Sequence, residues 1–271
     1  AALDPTSETI PHDKDSEDLI VEGYQVSICR AQGSRVTMED SDIADIIEVQ
    51  GMRIPYFGVF DGHGGSDCSK LLKEELFDFL LAELENIDLS SPIEIDSALK
   101  SACVKMNSSF REDKIKDGST AIFALIINKH IYVSNVGDSR AVLNADGRAI
   151  QLSKDAKPTV EIFNKSARSR GGLIYNKRLN GVLAVARAFG DVGFKGVTAR
   201  PHNHMYPLSG DHLILACDGL FDVVGSEEAA HIVQGKSSSE ACEDLFNEAF
   251  KRGTKDNVTV MVIDLRGCSQ T

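Results

Sequence analysis

Four aspartates stand where an apolar, strand-like run meets a turn. They are Asp61 after residues 57–60, Asp138 shortly after residues 131–136, Asp218 after residues 213–217, and Asp256 just before residues 258–262. One such aspartate is usually a turn residue or a helix cap. Four of them from separate strands favour a shared cation, because a carboxylate at the end of a buried strand is costly without a partner. Oxygen ligands without a cysteine or histidine cluster favour Mg²⁺ or Mn²⁺ over zinc.

The stretch after Asp61 is rich in glycine. Gly62, Gly64 and Gly65 permit close backbone approach to an ion or a phosphate group, and His63 lies among them. A helical periodicity begins directly afterwards, so the positive end of that helix faces the same place. The sequence therefore predicts one site where carboxylates, a histidine and an anion-attracting helix end meet.

The elements that must position these residues show both β and α periodicity. Runs rich in Val, Ile and aromatic residues predict strands over 24–31, 43–48, 54–60, 121–127, 130–136, 141–144, 183–186, 213–216 and 258–264. Ile127-Asn128-Lys129-His130 and Asn144-Ala145-Asp146-Gly147 predict tight turns, which join antiparallel strands. Apolar stripes predict helices over 66–85, 96–110 and 237–251. The predicted fold class is α+β, with antiparallel sheets covered by helices.

Composition limits the kinds of partner. The 271 residues are 42% hydrophobic and carry a formal net charge of −12, which argues against nucleic acid because phosphate backbones bind basic faces. Residues 1–18 are acidic with few apolar side chains, so we predict a flexible tail there. The six cysteines are scattered, without a zinc or redox spacing. No apolar run is long enough to span a membrane, so we expect no membrane partner and a cytoplasmic or nuclear setting.

Six motifs follow one another along the chain. They are Arg35-Val36-Thr37-Met38-Glu39-Asp40, Asp61-Gly62-His63-Gly64-Gly65, Gly118-Ser119-Thr120-Ala121, Val136-Gly137-Asp138-Ser139-Arg140, Asp218-Gly219-Leu220-Phe221-Asp222 and Asp256-Asn257-Val258-Thr259. Together they closely resemble the metal-dependent serine/threonine protein phosphatases of the 2C type. The resemblance implies a single catalytic domain over residues 19–271. It also implies a sandwich of two antiparallel β-sheets flanked by pairs of α-helices, with a binuclear metal site at one end.

The resemblance assigns the metal ligands residue by residue. Asp61 resembles the carboxylate that bridges two Mg²⁺ or Mn²⁺ ions, and Gly62 would offer its carbonyl oxygen to one of them. Glu39 would support that ion through coordinated water, whereas Asp218 and Asp256 would hold the other. The two metals would lower the pKa of a bridging water, and the resulting hydroxide would attack phosphoserine or phosphothreonine of a protein substrate directly.

Further residues resemble the groups that complete this reaction. Arg35 resembles the guanidinium that holds the substrate phosphate. His63 is placed to protonate the leaving seryl or threonyl oxygen. Asp40 and Asp222 would accept hydrogen bonds from metal-bound waters, and Asp138 resembles a ligand of a weaker third metal found in some members.

Three positions depart from the family pattern. Ala156 stands where the family usually has histidine, and Ala186 where serine is usual. His202 follows Pro201 in a motif that lacks its usual acidic residue. None of these positions is a proposed metal ligand, so the departures bear on rate, local geometry and the substrate-facing flap.

Two other functions remain open from the sequence. One is a pseudo-phosphatase that uses the same fold as a binding scaffold, although such a protein should have lost metal ligands. The other is a metal hydrolase of small phosphoesters, whereas the acidic balance disfavours a nuclease. Residues 154–178 hold seven Lys and Arg against two acidic residues, which suits either a solvated helix face or a docking surface for acidic phosphoproteins.

Overall fold

Two antiparallel β-sheets lie face to face in the computed structural model, which describes residues 10–113 and 115–267. In chain order the strands are β1 (Asp15–Val21), β2 (Tyr24–Ala31), β3 (Asp40–Val49), β4 (Met52–His63), β5 (Gly118–Ser119), β6 (Ala121–Ile127), β7 (His130–Val136), β8 (Arg140–Ala145), β9 (Arg148–Gln151), β10 (Ile174–Tyr175), β11 (Arg178–Leu179), β12 (Phe189–Gly190), β13 (His202–Pro207), β14 (His212–Ala216) and β15 (Val258–Asp264). The helices are α1 (Asp67–Leu84), α2 (Pro92–Asp113), α3 (Glu161–Ser169), α4 (Asp218–Phe221), α5 (Ser226–Val233) and α6 (Ser238–Lys251).

One sheet has the strand order β1-β2-β15-β14-β8-β9, and the other has the order β12-β5-β4-β6-β7-β13 with β3 paired to β4. Every pairing between these strands is antiparallel. Both predicted hairpin turns are present, with positive φ at Asn128, Lys129, Asp146 and Gly147. The α+β prediction and its antiparallel sheets are confirmed.

The central strands are apolar on both faces because each sheet is covered on both sides. In β15, Met261 and Ile263 point into the space between the sheets, whereas Val260 and Val262 pack against helices. This alternation follows from the two-residue period of a strand. The result is a sequence of four layers, helix, sheet, sheet and helix.

The outer layers are pairs of helices. The apolar stripes of the sequence predicted α1, α2 and α6, but not α5. On α1, the four leucines at a spacing of four, Leu72, Leu76, Leu80 and Leu84, are fully buried with α2 against the seven-stranded sheet. Helices α5 and α6 cover the six-stranded sheet. Helix α6 begins where Ser237 Oγ accepts the backbone N–H of Glu240 (3.2 Å), a reciprocal cap that fixes its first turn.

The segment between β9 and β13, which we call the flap segment (residues 152–201), contains α3, the hairpin β10–β11 and the short strand β12. The strand predicted over residues 183–186 is wrong. This run has a single bridge, from Leu179 to Leu183, and otherwise no strand partner. It follows a turn at Gly181 (φ 73°) and covers the cleft described below, so its apolar residues serve as a lining rather than as a sheet.

The two alanine departures lie against each other in the flap segment. Ala186 donates its backbone N–H to the Ala156 carbonyl (2.7 Å), and both pack on Phe163 of α3. The small side chains therefore occur as a matched pair, since each leaves room for the other and for the phenyl ring.

The boundary predicted for the acidic tail is wrong. Residues 15–18 belong to β1, whose carboxylates are partnered: Asp15 and Glu17 pair with Arg30, and Asp18 accepts the Ser27 hydroxyl (2.6 Å). Acidic composition suggested a solvated chain, but cross-strand partners order these residues. Residues 10–14 of the predicted tail are also described, and there Lys14 pairs with Glu243 of α6 and Asp13 accepts the backbone N–H of Gln32 (2.7 Å). Residues 1–9 lie outside the described residues.

Within the described part of the chain, the helices are too short or too polar to cross a bilayer. Five of the six cysteines are free and buried there, as small apolar side chains are. Cys268 lies outside the described residues.

Candidate active site

An open cleft of about 480 Å³ lies where the carboxyl ends of β4 and β14 approach each other. Eight of the residues singled out from the sequence line it: Arg35, Glu39, Asp61, Gly62, His63, Asp138, Asp218 and Asp256. Asp40 is buried, and Asp222 is turned to a lysine at the margin. The structure therefore brings together residues that are as much as 221 positions apart in the chain.

The strands place these residues by register and by where they end. Asp40 at the start of β3 is directly opposite Asp61 near the end of β4. Asp218 is the first residue of α4, immediately after β14, and Asp256 lies just before β15. Because β14 and β15 are antiparallel neighbours, the end of one and the start of the other lie at the same edge.

Asp40, Asp61, Asp138 and Asp218 form what we call the acidic cluster. Oxygens of Asp40 and Asp61 and the Cys217 sulfur all lie within 4.8 Å of one another. Asp40 Oδ2 accepts the Thr259 hydroxyl (2.8 Å), whereas its Oδ1 is buried without a hydrogen-bond partner. An orphaned carboxylate oxygen in such a place needs a cation or a proton.

Protonation of the acidic cluster is correspondingly shifted. Burial raises the pKa of Asp40 to about 7, against hydrogen bonds from Thr259 and Cys217 that lower it. Burial, followed by the charge of Asp218, raises the pKa of Asp138 to about 7. The pKa of Asp218 is raised by burial to about 6, and burial together with Asp40 holds the pKa of Asp61 well above its usual value. Without a bound cation these four carboxyl groups cannot all be ionised at neutral pH.

The donor set fits divalent cations that prefer oxygen. Carboxylates converge on the cleft, and the backbone of Gly62 lies so close to the Glu39 carbonyl and the Ser69 hydroxyl that a Cβ at this position would collide with both. Glycine is therefore the residue that fits at this point near the end of β4. Burial and the surrounding carboxylates raise the pKa of the Cys217 thiol well above its usual value, so the sulfur stays a neutral thiol and not a thiolate ligand.

Arg35 is joined to a proposed metal ligand. Its Nη2 donates to Asp256 Oδ2 (2.8 Å), and its side chain is 57% exposed. The loop that carries Arg35 is tied down by Asn257, whose Nδ2 donates to the Thr37 carbonyl (2.9 Å) and whose Oδ1 accepts the Glu39 N–H (3.0 Å). Asp256 and Asn257 thus fix both the guanidinium and the loop beneath it.

His63 is held by a carboxylate that the sequence did not assign. Its Nε2 lies 2.7 Å from Asp191 Oδ2, and the Asp191 side chain is only 5% exposed. Burial lowers the pKa of His63, but the hydrogen bond and charge of Asp191 outweigh it and raise the pKa above its usual value. Because Asp191 occupies Nε2, Nδ1 is the nitrogen left to face a bound substrate.

Gly118 makes this pairing possible. It is the register partner of both His63 and Gly190, the residue before Asp191. A Cβ on Gly118 would collide with His63 Nε2 and with the Asp191 carboxylate. The absence of a side chain there lets the imidazole and the carboxylate meet across β5.

Asp138 and Asp222 share a lysine. Lys157 Nζ lies 3.3 Å from Asp222 Oδ1 and 3.8 Å from Asp138 Oδ2. Lys157 therefore places a positive charge at one side of the acidic cluster, with Asp222 on the solvent side of it (58% exposed).

Sequence reasoning missed the supporting roles of Asp191, Asn257, Lys157 and Cys217. Asn257 lies inside a recognised motif, directly after Asp256, and Cys217 directly precedes the motif that begins at Asp218. The signal that could have found Asp191 is the Gly190-Asp191 pair after an apolar run, which repeats the strand-end pattern of the other aspartates.

Comparison with known proteins agrees with this geometry. The profile of the family described as protein phosphatase 2C matches residues 24–258. Probable protein phosphatase 2C 27 of Arabidopsis thaliana is 37% identical over 93% of this chain and 71% of its own length. Probable protein phosphatase 2C 45 of Oryza sativa subsp. japonica is 39% identical over 89% of this chain and 87% of its own. Other relatives are longer: the chain spans 58% of probable protein phosphatase 2C 76 of Arabidopsis thaliana.

Solved structures show the same fold. A sex-determining protein of C. elegans superposes with a TM-score of 0.79 at 26% identity, covering 90% of this chain and 65% of that one. A serine-threonine phosphatase 2C from Toxoplasma gondii superposes with a TM-score of 0.75 at 20% identity, covering 92% of this chain and 99% of that one. With the family profile spanning most of the sequence, the chain belongs to the protein phosphatase 2C family, whose members are metal-dependent serine/threonine phosphatases.

Proposed function

We propose that this protein removes phosphate from phosphoserine and phosphothreonine of other proteins at a pair of Mg²⁺ or Mn²⁺ ions. The observation that supports this proposal most strongly is the cleft itself, where the acidic cluster meets Arg35 and His63. Carboxylates that lose charge by protonation in the absence of a cation are the groups that a divalent ion would keep ionised.

The residues that would hold the ions are those that line the cleft. Asp61, the Gly62 carbonyl, Asp218 and Asp256 would hold the ions, and Glu39 would support them. Bound there, divalent cations supply an activated water nucleophile and electrophilic stabilisation of the phosphoryl oxygens. Asp138 would take part in a weaker third site.

Arg35 has a free edge for the substrate phosphate. One guanidinium nitrogen is engaged by Asp256, and the rest of the exposed fork faces the cleft, where it would orient two phosphoryl oxygens. The pairing with Asp256 also links the phosphate-binding group to a metal ligand, so each restrains the other.

His63 would protonate the oxygen that leaves. Asp191 fixes the ring through Nε2 and favours the protonated form, which an acid must have before the P–O bond breaks. An alkoxide from serine or threonine is a poor leaving group and depends on that proton.

The pseudo-phosphatase reading is disfavoured because every carboxylate needed for two cations is present and directed to one cleft. The cleft is open rather than enclosed by walls on all sides, which suits a protein side chain better than a small phosphoester that needs to be surrounded.

The direct test is release of phosphate from a phosphothreonine peptide. We expect activity with Mg²⁺ or Mn²⁺, none after chelation, and recovery when the metal is restored. Asp218→Asn should abolish turnover while circular dichroism shows an intact fold. The matched control is Asp244→Asn, which makes the same change on an exposed face of α6 and should leave the rate unchanged. Full turnover by protein shown to be metal-free would refute the proposal.

A further inference from the structure

Outside the cleft, basic side chains lie around the ring of Phe163. Burial, and then the charge of Arg187, lower the pKa of His202, so the positive charge at neutral pH comes from the arginines. Arg187 stacks on Phe163 of α3, with its Cζ 4.8 Å from the ring centroid, and His202 meets the same ring edge-on at 6.1 Å between centroids. Arg187 Nη1 donates to the Arg200 carbonyl (2.7 Å). We call Arg170, Arg187, Arg200 and His202 the basic cluster.

The basic cluster has no carboxylate partner among the described residues. Arg170 donates to the Gly196 carbonyl (2.9 Å) and to a serine hydroxyl, and no ion pair formed by Arg170, Arg187 or Arg200 is found in that part of the chain. Other arginines of this protein, whose net charge is −12, form ion pairs with carboxylates. Arg30, for example, pairs with three of them.

The nearest acidic side chain on α2 is already engaged. Asp96 lines a shallow depression with Arg200, but its Oδ2 accepts from Lys100 (2.5 Å) and its Oδ1 from Asn203 (3.0 Å). Rearrangement of Asp96 toward Arg200 would break both of these contacts.

Two buried nitrogens in the basic cluster have no hydrogen-bond partner. They are Nε of Arg187 and Nδ1 of His202. Burial, and then the charges of Arg170 and Arg200, lower the pKa of Arg187 to about 10, so it remains a cation at neutral pH. A half-buried guanidinium that keeps its charge and lacks a counter-ion is energetically costly. A bound anion would reduce that cost.

The residue at position 202 decides whether Arg187 has an internal partner. Histidine stands there, beside Pro201, and the structure puts His202 and Arg187 on the same phenyl ring. A carboxylate at position 202 would have served as an internal partner for Arg187, and histidine leaves that role unfilled.

We propose that the basic cluster is a second anion-binding site, separate from the catalytic cleft, that takes one tetrahedral oxyanion of the sulfate or phosphoryl type. Among the described residues, Nη2 of Arg187 and the exposed guanidinium of Arg200 have no hydrogen-bond partner and can donate to such oxygens, whereas the donors of Arg170 are taken by Gly196 and Ser166. Arg187 is the central group, and Arg200 and Arg170 add charge from the exposed side. None of the four residues lines the catalytic cleft.

The test uses a pair of variants that differ only in charge. His202→Glu places a carboxylate beside Arg187, and His202→Gln is its neutral counterpart of the same size. The Mg²⁺-loaded full chain is heated in rising sulfate at constant ionic strength. The wild type should gain several degrees in Tm, because a ligand of the folded state stabilises it. His202→Glu should start at a higher Tm and gain clearly less than the wild type, because only the catalytic cleft then binds sulfate, whereas His202→Gln should keep the full gain.

An equal sulfate response in the wild type and His202→Glu would overturn the proposal, as would a wild type that does not respond. If His202→Glu does not fold, Arg200→Gln decides the matter, since its side chain is exposed. Loss of one charged hydrogen-bond donor should weaken sulfate affinity roughly tenfold, and an unchanged affinity would likewise overturn the proposal.

A second arm identifies where the anion comes from and rests on the proposed function. Peptides with one phosphothreonine are compared with peptides that carry a second phosphorylated residue at increasing distance. If the anion belongs to the substrate, the wild type should show a lower KM for one of the doubly phosphorylated peptides, and His202→Glu should lose that preference. Equal KM values would assign the site to a free oxyanion. The sulfate arm needs no catalysis, so failure of the phosphatase proposal would not be mistaken for failure of this one.

Discussion

The acidic cluster and the basic cluster are both groups of like charge with few counter-ions: Lys157 reaches the first at Asp138, and no described carboxylate pairs with the second. They differ in how the protein can tolerate this charge. The acidic cluster is buried at strand ends, and its carboxyl groups have pKa values raised by burial, to between about 6 and about 7 for Asp40, Asp138 and Asp218. Those groups can shed their charge by taking up protons near neutral pH. Arg187 cannot, because its lowered pKa is still about 10.

This difference indicates what each cluster requires. Without its metal, the acidic cluster can take up protons. Protonation relieves the repulsion between the carboxylates, so metal loss costs little free energy of folding. An arginine cluster stays charged and depends on soft partners, which here are the Phe163 ring and backbone carbonyls. The acidic cluster is therefore suited to a metal that binds reversibly, and the basic cluster to an anion that stays bound.

The largest expected effect separates the two clusters by chemistry. His63→Gln should lose roughly 10²- to 10⁴-fold in kcat on a phosphothreonine peptide, the range typical of general acid catalysis, and much less on p-nitrophenyl phosphate, whose leaving group needs no proton. Arg200→Gln in the basic cluster should leave kcat on p-nitrophenyl phosphate unchanged. Equal losses on both substrates in His63→Gln, with weaker Mn²⁺ binding, would make His63 a structural residue.

Asp191→Asn should produce a smaller difference of the same kind between the phosphothreonine peptide and p-nitrophenyl phosphate. Since Asp191 raises the pKa of His63, its removal should lower that pKa and move the basic limb of the kcat profile to lower pH. The shift should be measurable with the phosphothreonine peptide and absent with p-nitrophenyl phosphate. A uniform fall in rate without a shift of the limb would contradict an orienting role for Asp191.

The next effect concerns the metal-free protein. Folded-state pKa values above the ordinary value of about 4 mean that the native state keeps protons that the unfolded chain releases. Stability should therefore fall as pH rises from about 4 and level off above about 7. Saturating Mg²⁺ should remove this fall. Asp218→Asn should raise the metal-free stability at pH 8 by about 1 kcal/mol or more, measured by urea denaturation. Lower stability of Asp218→Asn under these conditions would show that the carboxylates do not repel one another.

The smallest effect tests whether every cation near the flap belongs to the basic cluster. Lys165 pairs with Glu161 one turn earlier on α3, and both side chains are at least 75% exposed. Such a pair contributes about 0.5 kcal/mol or less, so Lys165→Glu should change stability little and leave the sulfate response intact. A lost sulfate response would extend the anion site along α3 and favour the docking surface over the solvated face.

Much of the fold could be predicted because local signals and tertiary packing agree in it. The α1 leucines and the alternating valines of β15 belong to elements whose buried faces have the period of the element itself. Strand β13 could not be predicted, since His202–Pro207 is polar and partly exposed and becomes a strand only through its pairing with β7. The apolar run 183–186 failed for the opposite reason, because it has strand composition but no edge to join.

The candidate site was predictable where its residues mark strand ends and not where they act across strands. Asp61, Asp218 and Asp256 have the same local setting in the sequence, which made them visible as a group. The contact between His63 and Asp191 spans 128 positions and depends on β5 lying between their strands. The arrangement of Arg187 and His202 on Phe163 is equally non-local, so a single sequence carries no trace of it.

Gly118 has a consequence for motion. The strand that carries it is two residues long and links β4 to β12, itself a two-residue strand at the edge of the sheet. Two-residue strands have few ladder hydrogen bonds, and β12 is held mainly by its buried Phe189, which stacks edge-on against Phe110. A local opening of this edge would detach Asp191 from His63 while leaving the metal ligands in place. The fraction of molecules in which His63 can donate a proton should therefore depend on how often this edge opens. Amide hydrogen exchange at Gly190 and Asp191 would measure the opening.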